Sequence, residues 1–198
     1  MEGSSYDRTT ALVVVDVQND FADAAGGLYV SGGEAVVPII NAEIAEAQRD
    51  GGTIVYTADW HPASTPHFAK DGGIWPVHCV GDTWGAEFHR DLVVAGPIVR
   101  KGVNGEDGYS GFTTRDPSTD QTAPTELAAL LRDAGVTTLV VAGLATDYCV
   151  KATVLDGHAE GFDVALLTDA VRAVDLQPGD GEGALAEMAA TGVTLLRS

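Results

Sequence analysis

Short runs of apolar, largely β-branched residues recur along the chain, and most do not alternate with polar ones. They are Ala11–Val15, Thr53–Thr57, Ile98–Arg100, Thr138–Ala142, Val164–Leu167 and Val193–Leu196. Runs of this kind suit strands covered on both faces, as in a parallel sheet. Between them the period changes. Val37, Ile40, Ile44 and Ala47 recur at spacings of three and four, and so do Leu127, Leu130, Leu131 and Ala134. Each set makes one apolar stripe on a helix. Pro124 stands near the start of the second helix, where a missing N–H costs nothing. Gly51-Gly52 and Gly135 close the two helices as residues that tolerate the left-handed conformation. A third helix is predicted with Asp147 as N-cap, carrying Val150, Val154 and Leu155, and a fourth through Leu185 and Met188.

Strand and helix in alternation imply right-handed crossovers. The predicted fold is α/β: a single open, mostly parallel six-stranded sheet with helices on both faces, in one domain spanning 1–198. Residues 58–92 and 102–121 break the alternation. Both segments are rich in Gly, Pro, Ser, Thr and Asp, and loops this long are more often functional than idle.

Composition narrows the class. The chain has 198 residues, 45% of them hydrophobic and 20% charged, as in an ordinary globular protein. Its net charge of −18 argues against nucleic acid or an anionic membrane as partner, since binding phosphates needs a basic footprint. Two cysteines are too few for a disulfide framework and fit a reducing compartment. Met1–Thr10 is mostly polar and lacks the apolar core of a secretory peptide. No apolar run approaches the ~20 residues of a membrane span. The expectation is a cytoplasmic protein.

Ligands of open α/β sheets bind beyond the carboxyl ends of the strands. Asp16 follows the first strand, Asp59 the second, Lys101 the third, and Gly143-Leu-Ala-Thr-Asp-Tyr-Cys149 the fourth. Cys149 then falls in the first turn of a helix, where free N–H groups and the dipole favour a thiolate. A nearby Lys101 would lower its pKa further, and Asp16 could take its proton. Singly, Cys149 reads equally well as a small buried hydrophobe, Asp16 as a helix cap and Lys101 as a solvated charge. Their coincidence at strand ends favours catalysis. Cys79 sits in a loop with no helix start behind it and reads as structural; a disulfide to Cys149 would consume the nucleophile.

A second constellation gathers Asp59, His61, His67 and His78. One carboxylate and three imidazoles suit Zn²⁺, Fe²⁺ or Mn²⁺. A loop histidine alone is more often solvated, but the chain has only five. His89 reads as surface and His158 as part of a helix. Phe21, Trp60, Trp75 and Tyr109 lie near these groups and could wall a pocket for a flat ring or simply pack under loops.

Taken together, Asp16-Val-Gln-Asn-Asp-Phe21, Asp59-x-His61-x5-His67, Trp75-Pro-x-His78-Cys, Lys101-Gly, Tyr109-Ser-Gly-Phe and Gly143-Leu-Ala-Thr-Asp-x-Cys149-Val resemble the nicotinamidases of the isochorismatase-like cysteine hydrolase superfamily. The match runs from about Ala11 to the end. The Asp, Lys and Cys motifs mark the superfamily, and the histidine set points to its nicotinamidase branch. The resemblance implies a Rossmann-like three-layer fold and hydrolysis of nicotinamide to nicotinate and ammonia, with pyrazinamide as a side substrate. It implies Asp16 as general base and then acid, Lys101 as supporting cation and Cys149 as the nucleophile that forms a thioester. It also implies a cis peptide at Leu144-Ala145, with the Ala145 and Cys149 amides as oxyanion hole. One divalent ion, Zn²⁺ or alternatively Fe²⁺ or Mn²⁺, would be held by Asp59, His61, His67 and His78 and would bind the pyridine nitrogen. Phe21, Trp75, Tyr109 and Leu144 would line the ring pocket. A homo-oligomer is common in the superfamily. The alternatives are a related amidohydrolase for a carbamoyl or ureido substrate, which needs no full histidine set, and a catalytically silent metal-binding module.

Overall fold

The computed structural model describes residues 6–198, so residues 1–5 of the opening segment Met1–Thr10 lie outside it. Six strands form one sheet: β1 (Thr10–Val15), β2 (Thr53–Asp59), β3 (Ile98–Lys101), β6 (Thr138–Leu144), β7 (Asp163–Arg172) and β8 (Thr194–Leu196). Their order is β3-β2-β1-β6-β7-β8, and every neighbouring pair is parallel. A small antiparallel hairpin, β4 (Thr113–Arg115) and β5 (Thr122–Pro124), stands apart from the sheet.

The continuous apolar runs are explained by two cores, one on each face. Leu12 and Val14 of β1 pack on one side with Ile40 and Ile44 of helix α2 (Val36–Asp50), whose four stripe residues are all buried. Burying an isoleucine side chain stabilises by roughly 1.5–3 kcal/mol. Ala11, Val13 and Val15 face the other side. There they meet α3 (Leu127–Asp133), α4 (Lys151–Ala159) and α5 (Asp180–Ala190) through residues such as Leu131, Val154 and Met188. Phe21, Cys79, Ala86 and Leu92, from a short helix α1 (Asn19–Ala22) and the long loop, complete the first core beside α2. Among the described residues, no helix is long and apolar enough to cross a membrane.

Three local expectations need correction. Pro124 ends β5 opposite Thr113 instead of opening α3. The helix starts at Leu127, whose N–H is accepted by the Thr125 hydroxyl. The α3 stripe is also shorter than its spacing implies. Leu127 and Leu131 are buried, but Ala134 is an exposed C-cap, because Gly135 turns the chain left-handed there. Finally, Asp147 does not cap its helix. A wide helical turn over Thr146–Val150 begins after Ala145, and the Val150 N–H reaches back to the Ala145 carbonyl. Asp147 is already inside that turn, and its carboxylate accepts the Val174 and Asp175 N–H groups instead.

Gly143, six residues before Cys149, sets the approach of β6 to β1. It pairs with Val15 at φ +125°, and an added Cβ would overlap the Val15 carbonyl. The β6–β7 register also shifts between Val141 and Gly143. Gly143→Ala combines backbone strain with overpacking and is expected to destabilise by about 3 kcal/mol. Denaturant unfolding checks this, and an unchanged midpoint contradicts it.

Candidate active site

The carboxyl ends of β3, β2, β1 and β6 converge, and they bring the candidate residues together from four parts of the chain. Asp16 is the residue at which the backbone leaves β1, and it does so at φ +49°, an uncommon conformation for a residue with a side chain. Its carboxylate is fully buried. Oδ1 accepts the Thr57 hydroxyl at 2.6 Å, and Oδ2 accepts the Lys101 ammonium at 2.6 Å. Lys101, at the end of β3, also donates to Asp59 Oδ1 and to the Gly108 carbonyl. Its Nζ lies 3.8 Å from Cys149 Sγ. All three donor directions of the ammonium are therefore used, and one cation serves two buried carboxylates.

This arrangement settles the charge states. Burial pushes the Asp16 carboxyl up to about 6, against the pull of Lys101. Burial also raises Asp59, but Lys101 and His61 outweigh it and hold that carboxyl well below the usual carboxylate range. Burial alone would discharge Lys101; Asp16 and Asp59 hold it well above the ordinary lysine value. At Cys149 the shift runs against the thiolate that its helical turn and Lys101 favour. Burial drives its thiol well above the ordinary cysteine value, and Asp16 and Asp59 add to this while Lys101 opposes. Burial is the leading cause of this shift, and the two carboxylates add to it against the one cation. Lys101 Nζ links Asp16 and Cys149, 2.6 Å from Asp16 Oδ2 and 3.8 Å from Cys149 Sγ.

His61, His67 and His78 come together as their spacing suggested. One ring nitrogen of each lies within 4.8 Å of those of the others. Asp59 Oδ2 lies 3.7 Å from His61 Nε2 and 3.9 Å from His78 Nε2. His67 Nδ1 is bonded to Asp107 Oδ1 at 2.6 Å, and His78 Nδ1 to the Pro76 carbonyl at 2.8 Å. Each bond places the proton on Nδ1 and leaves Nε2 as a lone-pair donor, the arrangement common to metal-binding histidines. Burial lowers His78 to about 4, which keeps it neutral. Both nitrogens of His61 are buried without a hydrogen-bond partner. Buried polar atoms are rarely left so, and a bound cation would partner one of these two nitrogens. The donor set therefore fits a divalent metal, with Asp59 shared between the metal cradle and Lys101.

A pocket opens between the histidines and Cys149. Phe21, Trp75, Tyr109, Leu144, Ala145 and Tyr148 line it, together with His67, His78, Asp59 and Cys149. Trp75 Nε1 donates to the Tyr109 hydroxyl at 2.8 Å, and the Trp75 and Tyr148 rings meet edge to face at 4.8 Å. The aromatic walls are thus locked to each other. The Leu144-Ala145 peptide is cis. Trp60 lies outside this lining and stacks under the Arg100 guanidinium.

The structure also places Cys79, His89 and His158. Cys79 is buried and free, and so is Cys149, so no disulfide links them. Cys79 takes part in a loop staple, its N–H bonded to Asp20 Oδ2. His89 is buried, not on the surface: its N–H bonds the Val17 carbonyl, which draws the loop under the end of β1. His158 lies in α4 as expected.

Four supporting side chains were not singled out from sequence: Thr57 on Asp16, Gln18 on Asp59, Asp107 on His67, and Arg115, which holds the other Asp107 oxygen at 2.7 Å. Each partner lies eight or more residues away in the chain, so no local spacing announces it.

Residues 10–198 match the family described as Isochorismatase domain. The nicotinamidase of Escherichia coli (strain K12) is 38% identical over 203 residues, covering 93% of each chain. Among solved structures, the pyrazinamidase of Pyrococcus horikoshii in complex with zinc superposes with a TM-score of 0.86 at 40% identity, covering 96% of this chain and 99% of that one. PnC1 from L. infantum in complex with nicotinate superposes with a TM-score of 0.90 at 36% identity, covering 99% of this chain and 96% of the other.

Proposed function

The chain belongs to the isochorismatase family, and on that premise we propose that it is a metal-dependent cysteine amidohydrolase converting nicotinamide and water to nicotinate and ammonia. The observation that carries this reading is one aromatic pocket whose lining includes both the Cys149 thiol and members of the histidine–carboxylate cradle. A flat heteroaromatic amide has one polar atom in its ring and one reactive carbon outside it, and the pocket offers a group for each. Relatives named for nicotinamide and pyrazinamide support the same substrate class.

Asp59, His61, His67 and His78 would hold one divalent ion, Zn²⁺ or in its place Fe²⁺ or Mn²⁺, which would supply a Lewis-acid site for the pyridine nitrogen. Phe21 and Trp75 flank the ring, and Tyr109 and Leu144 close the pocket around it. Asp16 takes the Cys149 thiol proton as the sulfur bonds the amide carbon. The Ala145 and Cys149 N–H groups receive the developing oxyanion. Asp16 then passes its proton to the amide nitrogen, the C–N bond breaks and ammonia leaves. Water gives a proton to Asp16 as its oxygen bonds the thioester carbon. The C–S bond breaks, Asp16 returns the proton to sulfur, and nicotinate leaves with a proton lost to solvent. Lys101 stays charged throughout and offsets Asp16 and Asp59.

A substrate panel tests the reading. Nicotinamide and pyrazinamide are expected to give one acid and one ammonia each, with carbamoyl and ureido compounds far slower. Faster turnover of a ureido compound overturns it. The reaction also needs Asp16 ionised at the outset. With its pKa at about 6, kcat/KM is expected to rise with pH through that value and to fall roughly tenfold per unit below it. A profile flat down to about pH 4, near the ordinary aspartate value, removes Asp16 as the base.

We also read 1–198 as one domain, because Tyr6 and Leu196, near opposite ends of the chain, pack against the same core. The two free cysteines fit a cytoplasmic site of action, and a homo-oligomer follows the habit of the superfamily.

A further inference from the structure

Gln18 is fully buried two residues after the general base, and the proposed reaction does not use it. Its side chain makes three hydrogen bonds. Nε2 donates to the Asp59 carbonyl at 2.7 Å and to the Ala86 carbonyl at 2.8 Å, and Oε1 accepts the Asp59 N–H at 2.8 Å. The reason lies in the sheet. β1 pairs with β2 only as far as Val15 opposite Thr57, because the chain bends away at Asp16. In a parallel ladder the N–H and C=O of Asp59 both point toward the missing β1 position, while the next N–H, that of Trp60, turns to Lys101 on β3. The Gln18 amide carries one donor and one acceptor in the geometry of a peptide, and it supplies the absent rung.

The rung falls on the one residue that both halves of the site share. Asp59 turns Oδ1 to Lys101 and Oδ2 toward His61 and His78. We infer that Gln18 is a positioning residue for the metal cradle: its amide fixes the Asp59 backbone so that one carboxylate oxygen stays on Lys101 and the other on the metal. The same contact ties the cradle to the segment that carries Asp16, and through Ala86 to the loop that follows His78. This inference rests on the metal-site reading above.

Gln18→Met keeps the length of the side chain and removes all three bonds. Gln18→Glu keeps the acceptor for the Asp59 N–H but sets a carboxylate oxygen against two carbonyls, and it stands in where the first variant fails to fold. Leu131→Ala, in the core under α3 and remote from the cradle, serves as a variant that is destabilised only. Zn²⁺ affinity is read by competition with a chromophoric chelator, beside the melting temperature of the metal-free protein. Loss of an outer-shell contact typically weakens metal binding by 10–100-fold, and a drop of roughly that size is expected for the Gln18 variants. Leu131→Ala is expected to melt lower and yet bind Zn²⁺ as the wild type does. Gln18 variants that bind Zn²⁺ as tightly as the wild type overturn the inference and leave the metal site standing. Wild-type protein that takes up none of Zn²⁺, Fe²⁺ and Mn²⁺ overturns both, and it shows this before any variant is made.

Discussion

Replacing Cys149 with alanine is expected to abolish ammonia release while leaving nicotinamide binding nearly intact. The sulfur forms the only covalent bond to substrate, so removing it removes the route to the thioester. Loss of a nucleophile from a working catalytic group costs on the order of 10⁴-fold or more in turnover. The binding contacts come from elsewhere. Phe21, Trp75 and Tyr109 wall the pocket, and His67 and His78 of the cradle line it too. Turnover by ammonia assay and affinity by calorimetry are the two readings. A variant that retains a few per cent of activity contradicts nucleophilic catalysis at Cys149. A variant that loses binding in proportion to turnover contradicts the separation of ring capture from chemistry.

Lys101→Met is expected to be the most damaging substitution for stability. The ammonium is 0% exposed and bonds Asp16, Asp59 and the Gly108 carbonyl. Methionine fills much of the space but leaves two buried carboxylates facing each other. Removing one partner of a buried ion pair costs about 3–5 kcal/mol, because the remaining charge is uncompensated. For a protein of this size that corresponds to a fall of about 10 °C in melting temperature. The measurement uses metal-free protein, so that no bound ion compensates Asp59. Adding Asp59→Asn to Lys101→Met is expected to recover part of the loss, since it removes one of the stranded charges. A single variant that melts with the wild type, or a double variant less stable than the sum of the two changes, contradicts this picture.

Lys101 also shows where sequence reading works and where it stops. The strand that delivers it is legible as Ile98–Arg100, and the rule that open α/β sheets bind ligands beyond strand ends puts Lys101 beside Asp16, Asp59 and Cys149. The continuous β-branched runs announce strands buried on both faces, and the structure has cores on both. The hairpin of β4 and β5 is invisible to this reasoning. Its strands are three residues each and largely exposed, so neither alternation nor a continuous run marks them.

The electrostatics are less legible than the geometry. A cysteine in the first turn of a helix with a lysine nearby suggests a thiolate. The shift runs the other way chiefly because the sulfur is buried, with Asp16 and Asp59 adding to it from two other strands, and only the assembled sheet shows that. His89 is similar: nothing near it in the chain says that its loop folds beneath β1. Asp107 lies in the acidic segment after Lys101, 40 residues from the His67 ring it orients. Supporting side chains of this kind are chosen by tertiary contacts, and they carry no spacing of their own.

The measurement that tests the proposed activity most directly is ammonia release from nicotinamide by purified protein, before chelation, after it, and after return of Zn²⁺, Fe²⁺ or Mn²⁺. The expected result is release that chelation abolishes and metal restores. No release from protein shown to hold metal and to carry an alkylatable Cys149 contradicts nicotinamide as the substrate.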